Sequence, residues 1–456
     1  MTMHNDAAFS ASIMGNAYAT PLFLDKGVVS ALNSGKSTLF VATETNDVYA
    51  LDATTGAQVW HSNVGSPGGP VCGDTGKINP QGITGTPAID LTSSTIVMAA
   101  AQGPGSTQDH AVYALDLATG MTKWHVSLTG VKDSKGNTFD PTQHLQRPAA
   151  LIANGQAYFG FGGNIGDCGT YDGWIISVPL DGNASNVKGW RPDDGKSGIW
   201  APGGPSSDQN SIYVTTGNGS GPASWAGSEG VIRLGFDLSF TNNAMDYYAP
   251  ANYPMLDAED ADISGSGPLL IDTPAGKHLI LALGKDGNAY LIDRTNLGGV
   301  GATLLDQQQV SNGAISNAAA WANVSGATYV VANNSWTAGS GCSKDGSGDL
   351  FAIKIDATSK MTEIWCGNSG GHTSPIITTS DGTNDAIVWV GGGSDGAPSS
   401  AGTGDGNLHA FDLLTGNAIA NTASIPGMAV LSSSLIAANG HIYAASNMGK
   451  VYAVTP

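Results

Sequence analysis

Three stretches of the chain carry residue types able to do chemistry. LGKDGNAYLIDRTNLGG (283–299) holds Lys285, a cation able to polarise a carbonyl, or an exposed lysine beside a tight Asp286-Gly287 turn. MLDAEDADISGSGPLL (255–270) holds Asp257, Glu259, Asp260 and Asp262, where one carboxylate could act as a general base or the whole loop could be solvated acid. GIWAPGGPSSDQNSIYVTTGNGSGPASW (198–225) offers Trp200, an aromatic platform or a plug, and Asn218, an oxygen ligand for a hard cation or part of an ordinary Asn-Gly turn. Arg147, in HLQRPAAL, could hold an anionic group or join a buried ion pair. The nine His are scattered without HExxH or a pair at metal-ligand spacing, which disfavours a zinc enzyme, and there is no GxSxG elbow or Walker loop.

The elements that must position these residues repeat. ALDATTGAQVW (50–60) and ALDLATGMTKW (114–124) each read as a strand, an Asp that caps a turn through its carboxylate, a Gly for positive φ, and a return strand ending on Trp. The strand-plus-Asp mark recurs at Asp52, Asp116, Asp181, Asp237, Asp293, Asp356 and Asp412 and fades at Thr455, a spacing of about 58 residues that suits four short strands and their loops. Stronger β-runs such as TLFVATE and SIYVTTG precede most marks, and weaker ones such as TPLFL and TSPIITT precede those. The expected fold is all-β: an eight-bladed β-propeller of four-stranded antiparallel blades, one domain over 1–456. The last unit stops after three strands, so a strand-like piece at 7–14 is expected to supply the fourth and close the ring. Long loops fall between second and third strands, or between blades, including 161–173, 217–230 and 247–265. Both loop classes emerge on one face, and the channel mouth on that face is the expected site.

The ALDxxTGxxxW phrase resembles the tryptophan-docking motif of the pyrroloquinoline-quinone (PQQ) propellers, the eight-bladed quinoprotein alcohol dehydrogenases and their relatives. Cofactor-free propellers carry similar repeats, including the lipoprotein scaffold of outer-membrane β-barrel assembly. Residues 198–225 are similar to the quinoprotein segment with a Trp under PQQ and a calcium-binding Asn, which implies those roles for Trp200 and Asn218. The same resemblance implies that Lys285 contacts the quinone oxygens and that Asp260, with Asp262 as the fallback, is the catalytic base. An Asp two residues after that base resembles the lanthanide-using branch. The chain departs from the pattern in three places. The vicinal disulfide is absent, and GGNIGDCGTYDGW (162–174) has no metal-binding Glu, leaving Asp167 or Asp172 as substitutes; GPAS is inserted before Trp225.

Charge and cysteines bound the setting. With 18 Lys and Arg against 37 Asp and Glu, the formal charge of −19 disfavours nucleic acid or an anionic membrane as unaided partners, and no apolar run is long enough for membrane insertion. Cys342 with Cys366, and Cys72 with Cys168, are expected as disulfides, against buried free thiols as the alternative; two bridges would imply a periplasmic or extracellular location. No secretion signal precedes His4-Asn5-Asp6, so the chain reads as a mature form with a new start. No CxxCH motif marks a fused cytochrome. The leading functional expectation is PQQ-dependent oxidation of an alcohol or sugar hydroxyl on a small-molecule substrate, with calcium or a lanthanide. The alternatives are a cofactor-free propeller with a protein partner, its channel plugged by Trp200 and Trp321, or a lyase, cyclase or hydrolase that reuses Arg147, Lys285 and Asp260.

Overall fold

The computed structural model describes all residues except 1, 70–77, 165–166, 168, 335–340, 345, 372, 394–403, 429–434 and 456. Eight antiparallel four-stranded blades form a propeller ring, with blades 1 to 7 at 22–63, 88–127, 151–190, 206–249, 269–309, 320–367 and 376–424, and blade 8 made of three strands at 436–455 with the N-terminal strands at its outer edge. Sequential strands pair in order within each blade, and the first strand of blade 3, Leu151–Ala153, touches those of blades 2 and 4, Ala88–Asp90 and Ser206–Ser207. The second and third strands are apolar on both faces and nearly wholly buried, as in Thr38–Ala42 and Asp47–Asp52, because each blade is covered by its two neighbours. The core is accordingly a series of inter-blade clusters, such as that joining Phe40, Val48 and Trp60 to Ile96, Met98 and Leu115. At the N-terminus the expected single piece over 7–14 is instead two short strands, His4–Asn5 and Ala11–Ser12, both antiparallel to Lys450–Thr455. Among the described residues no helix is long and apolar enough to cross a membrane.

The repeated phrase works across the seams between blades. Its Asp caps the turn as the residue types require: Asp52 Oδ1 accepts the N–H of Thr54 and Thr55 at 3.0 Å, and Asp116 and Asp412 do the same in their own turns. Opposite the third strand, a β-bulge shifts the register beside each of Trp60, Trp124 and Trp365. The extra residue re-aims the ring toward the next blade. There Trp60, Trp124 and Trp365 donate Nε1–H to the carbonyls of Leu117, Leu180 and Leu413 at 2.9, 3.0 and 2.7 Å. Each ring also lies on a glycine, since a Cβ on Gly120, Gly182 or Gly416 would fall 2.6–2.7 Å from it. The Gly of one phrase is thus the seat for the Trp of the phrase before. Other seams use other donors to the matching carbonyl: Tyr443 to Ala53 at 2.8 Å, Tyr158 to Phe236 at 2.6 Å and Arg233 to Arg294 at 3.4 Å.

Two elements depart from the repeat around blade 4. A short helix, Tyr253–Glu259, starts with Pro254 in its first turn and ends at Asp260, whose φ of +53° is left-handed. Sequence reading leaves this stretch as loop, because seven residues present too little periodicity. The outer strand Tyr247–Ala249 gains a parallel partner, Gly299–Val300, from the long connection of blade 5. In blade 6, Cys342 and Cys366 form a disulfide. Cys72 and Cys168 lie outside the described residues.

Candidate functional site

The singled-out residues come from six connections in and beside blades 3 to 5. Arg147 precedes the first strand of blade 3, and Asp167 and Asp172 lie in that blade's second-to-third connection. Trp200 lies between blades 3 and 4, Asn218 in the inner loop of blade 4, Asp260 and Asp262 between blades 4 and 5, and Lys285 at the following turn. Asp286 fixes that turn by accepting the Asn288 N–H at 3.0 Å, and the Lys285 N–H donates to the Asp262 carbonyl at 2.7 Å. The Lys285 ammonium then meets Asp262 Oδ2 at 2.5 Å and Asp260 Oδ1 at 2.9 Å. Arg147 Cζ and Lys285 Nζ each stand 5.1 Å from the Trp200 ring centroid, within cation–π range. Gly217 permits this closeness, because a Cβ there would lie 2.5 Å from Asp262 Oδ1 and 3.0 Å from Trp200 Nε1.

Carboxylates also clasp the loop that carries Asn218. Three successive amides, of Asn218, Gly219 and Ser220, donate to Asp262, Asp257 and Asp194 at 2.5, 2.5 and 2.9 Å. Glu229, at the far end of this loop, is fully buried and accepts the Ile263 N–H at 2.8 Å through Oε2. Its Oε1 meets no hydrogen-bond partner among the described residues. Burial and then the charge of Asp262 push the Glu229 carboxyl up to about 9, so it is protonated at neutral pH. Burial likewise raises Asp260 and Asp257, with Lys285 partly offsetting the rise at Asp260. For Lys285 burial works against the ammonium, but Asp262 and Asp260 outweigh it and hold the group above the usual lysine range. Tyr171 is raised by burial and by Asp167, to which its hydroxyl is hydrogen-bonded.

The rim therefore gathers Trp200, Arg147, Lys285, Asp260 and Asp262, with Asp167 attached through Tyr171. Asn218 joins through its main chain. Asp172 is engaged elsewhere, since its carboxylate meets Arg191 at 2.7 Å. Trp321 packs against the core between blades 5 and 6. Sequence reading missed Tyr171, Asp194 and Glu229; the available signals were Tyr171 beside two candidate acids and a lone Glu between glycines or small residues in GSEG. Among the described residues, one group of three His, Cys, Asp or Glu brings its ligand atoms within 4.8 Å, namely Cys342, Glu363 and Cys366 in blade 6, where the two cysteines are joined in the disulfide.

Comparison with known proteins follows the same outline. A family model described as outer membrane protein assembly factor BamB matches residues 14–220, which include Trp200 and Asn218 but neither Asp260, Asp262 nor Lys285. Quinohemoprotein alcohol dehydrogenase from Comamonas testosteroni superposes with a TM-score of 0.59 at 16% identity, over 99% of this chain and 76% of that one. The fold is that of a PQQ-like propeller. This PQQ-like propeller also resembles a europium-containing methanol dehydrogenase, with a TM-score of 0.59, 15% identity and coverage of 97% and 84%. BamB from Moraxella catarrhalis gives 0.52 at 14% identity over 100% of this chain and 99% of that chain. No curated protein matches the sequence.

Proposed function

We propose that the Trp200 rim is a small-molecule site and, more finely, that it oxidises an alcohol or sugar hydroxyl with PQQ. The observation that carries this reading is the Lys285 ammonium, bound at once by Asp260 and Asp262 and set 5.1 Å from the Trp200 ring centroid. A planar, multiply anionic quinone fits such a set: an aromatic surface for its rings and two cations for its oxygens and carboxylates. The donor set for calcium or a lanthanide fits less well, because Asp172 is bound by Arg191 and Asp167 faces Tyr171, so no step is routed through a metal. Bound PQQ would supply the two-electron acceptor. Lys285 stays charged and polarises a carbonyl held against it, while Arg147 orients a carboxylate. Asp260, whose side chain is 57% exposed and whose carboxyl is raised by burial, can take the proton of a substrate hydroxyl. The disulfide Cys342–Cys366 accords with a periplasmic or extracellular setting.

Titrating the purified protein with PQQ, with and without Ca²⁺ or a lanthanide, tests the reading by tryptophan quenching. Saturable quenching that disappears in Trp200→Ala is expected, together with dye-linked alcohol oxidation that Asp260→Asn abolishes without loss of PQQ binding. Silence under all conditions would sink the dehydrogenase reading. A cofactor-free interaction propeller is then the stronger reading, favoured by the BamB match and by the two cations already placed over Trp200.

A further inference from the structure

Between blades 3 and 4 the Trp-on-Gly arrangement gives way, and a cleft of about 640 Å³ stands in its place. In the outer strand of blade 3, Lys188–Trp190, Lys188 pairs with Ser177 and so stands at the position of Trp60, while Trp190 lies two residues on, opposite Ile175, where no glycine among the described residues receives its ring. Leu238 occupies the turn position in blade 4 that Gly182 occupies in blade 3. Both turns close with the same bond, Leu238 N–H to Gly235 O and Gly182 N–H to Pro179 O at 2.9 Å, and both residues have positive φ, +64° and +74°. A leucine is strained in that conformation, and its side chain is buried in the apolar cluster that also holds Trp190, Tyr158 and Ile212. Trp190 instead meets the edge of Phe240, with centroids 5.8 Å apart and planes at 76°. Trp225, stacked on Tyr247 at 4.1 Å, lines the cleft as well.

The charge of this cleft runs against that of the molecule. In a chain of 18 Lys and Arg against 37 Asp and Glu, Lys132, Lys135, Lys188 and Arg191 converge here. The lining acids are already engaged. Asp133 accepts the Lys135 and Asn137 amides at 2.9 and 2.8 Å, Asp237 accepts the Ser239 amide at 3.1 Å, and Asp193 pairs with Lys135. Arg191 is held by Asp172, whereas Lys132 and Lys188 are in no ion pair within 4 Å among the described residues. Aromatic walls beside two available ammonium groups suit a ring with an apolar C–H face and a carboxylate edge, and the volume is that of a small-ligand site.

We propose that this cleft binds an acidic sugar unit, with the ring against Trp190, Phe240 and Trp225 and the carboxylate at Lys132 and Lys188. The inference is independent of PQQ. It does connect to the rim, since residues 225–227 line the cleft and residues 218–220 of the same loop are the ones clasped by Asp262, Asp257 and Asp194.

Calorimetric titration with trigalacturonate and with its methyl ester tests the proposal on the full chain. Saturable binding of the acid is expected, at least tenfold weaker for the ester and at least tenfold weaker in Lys132→Ala/Lys188→Ala, a double variant checked for native circular dichroism. Trp200→Ala should bind as the parent does. No heat with the acid up to millimolar concentration, equal binding of the ester, an unaffected double variant, or loss of binding in Trp200→Ala would each overturn it.

Discussion

Replacing Lys285 by methionine keeps the apolar stem and removes the charge that Asp260 and Asp262 share. The two acids differ in what they lose: the Asp262 side chain is 1% exposed and that of Asp260 is 57% exposed. Stranding the buried carboxylate should cost about 3–5 kcal/mol, and the exposed leg about 0–1 kcal/mol. The Asn218 amide still donates to Asp262 at 2.5 Å, so the expected loss lies near the lower end, about 3 kcal/mol at pH 8. Burial without a counter-ion disfavours the charged form of a carboxylate, so the deficit is smaller at acid pH and grows as pH rises. Asp262→Asn in the same background removes the stranded charge and leaves an oxygen for the Asn218 amide, so it should recover most of the loss. Urea unfolding of the parent, the single and the double variant at pH 5 and pH 8 reads all three expectations. A deficit below about 1 kcal/mol at pH 8, equal deficits at both pH values, or no recovery in the double variant would refute the reasoning and mean that water already solvates Asp262.

Glu229 gives a second pH signature. Because its carboxyl is raised from 4.5 to about 9, its stabilising contribution is complete below pH 4.5 and drains away as pH climbs through 9. Glu229→Gln, which keeps an acceptor for the Ile263 amide, should melt with the parent near pH 5 and above it at pH 9; coincident melting at pH 9 would mean the group is ionised at neutral pH. At the blade seams, Gly120→Ala should cost about 2–3 kcal/mol in urea unfolding, combining the positive φ with a Cβ 2.6 Å from Trp60. Gly155→Ala, at φ +74° with open space around it, should cost only about 1 kcal/mol, and equal losses at the two sites would remove the seat from the account.

The eight units were legible because Asp, Gly and a terminal Trp encode a turn within a dozen residues, where local physics decides the outcome. Asp52 capping Thr54 and Thr55 follows from residue types alone. The pairing of Trp60 with Gly120 does not, since it joins positions in successive units and becomes meaningful only once the blades stack. On the rim, a platform, a cation and an acid could be singled out as residue types. Their actual bonds could not: that Asp262 takes both the Lys285 ammonium and the Asn218 amide depends on how two long connections cross. Glu229 was silent for a related reason, because a glutamate between small residues looks solvated until the loop folds over it. The helix at 253–259 escaped because its cap, a left-handed Asp260, carries no glycine to announce it.

The seams carry one more implication. At blades 1/2, 2/3 and 6/7 an indole holds the neighbouring carbonyl, whereas Tyr158 and Arg233 hold it at 3/4 and 4/5, the two junctions that frame Trp200, Asp262 and Lys285. A repeat protein of this kind can be searched as one would proofread copied text. The unit that misspells the common word, here Leu238 written where a glycine is due, is the address at which the copies stopped being interchangeable.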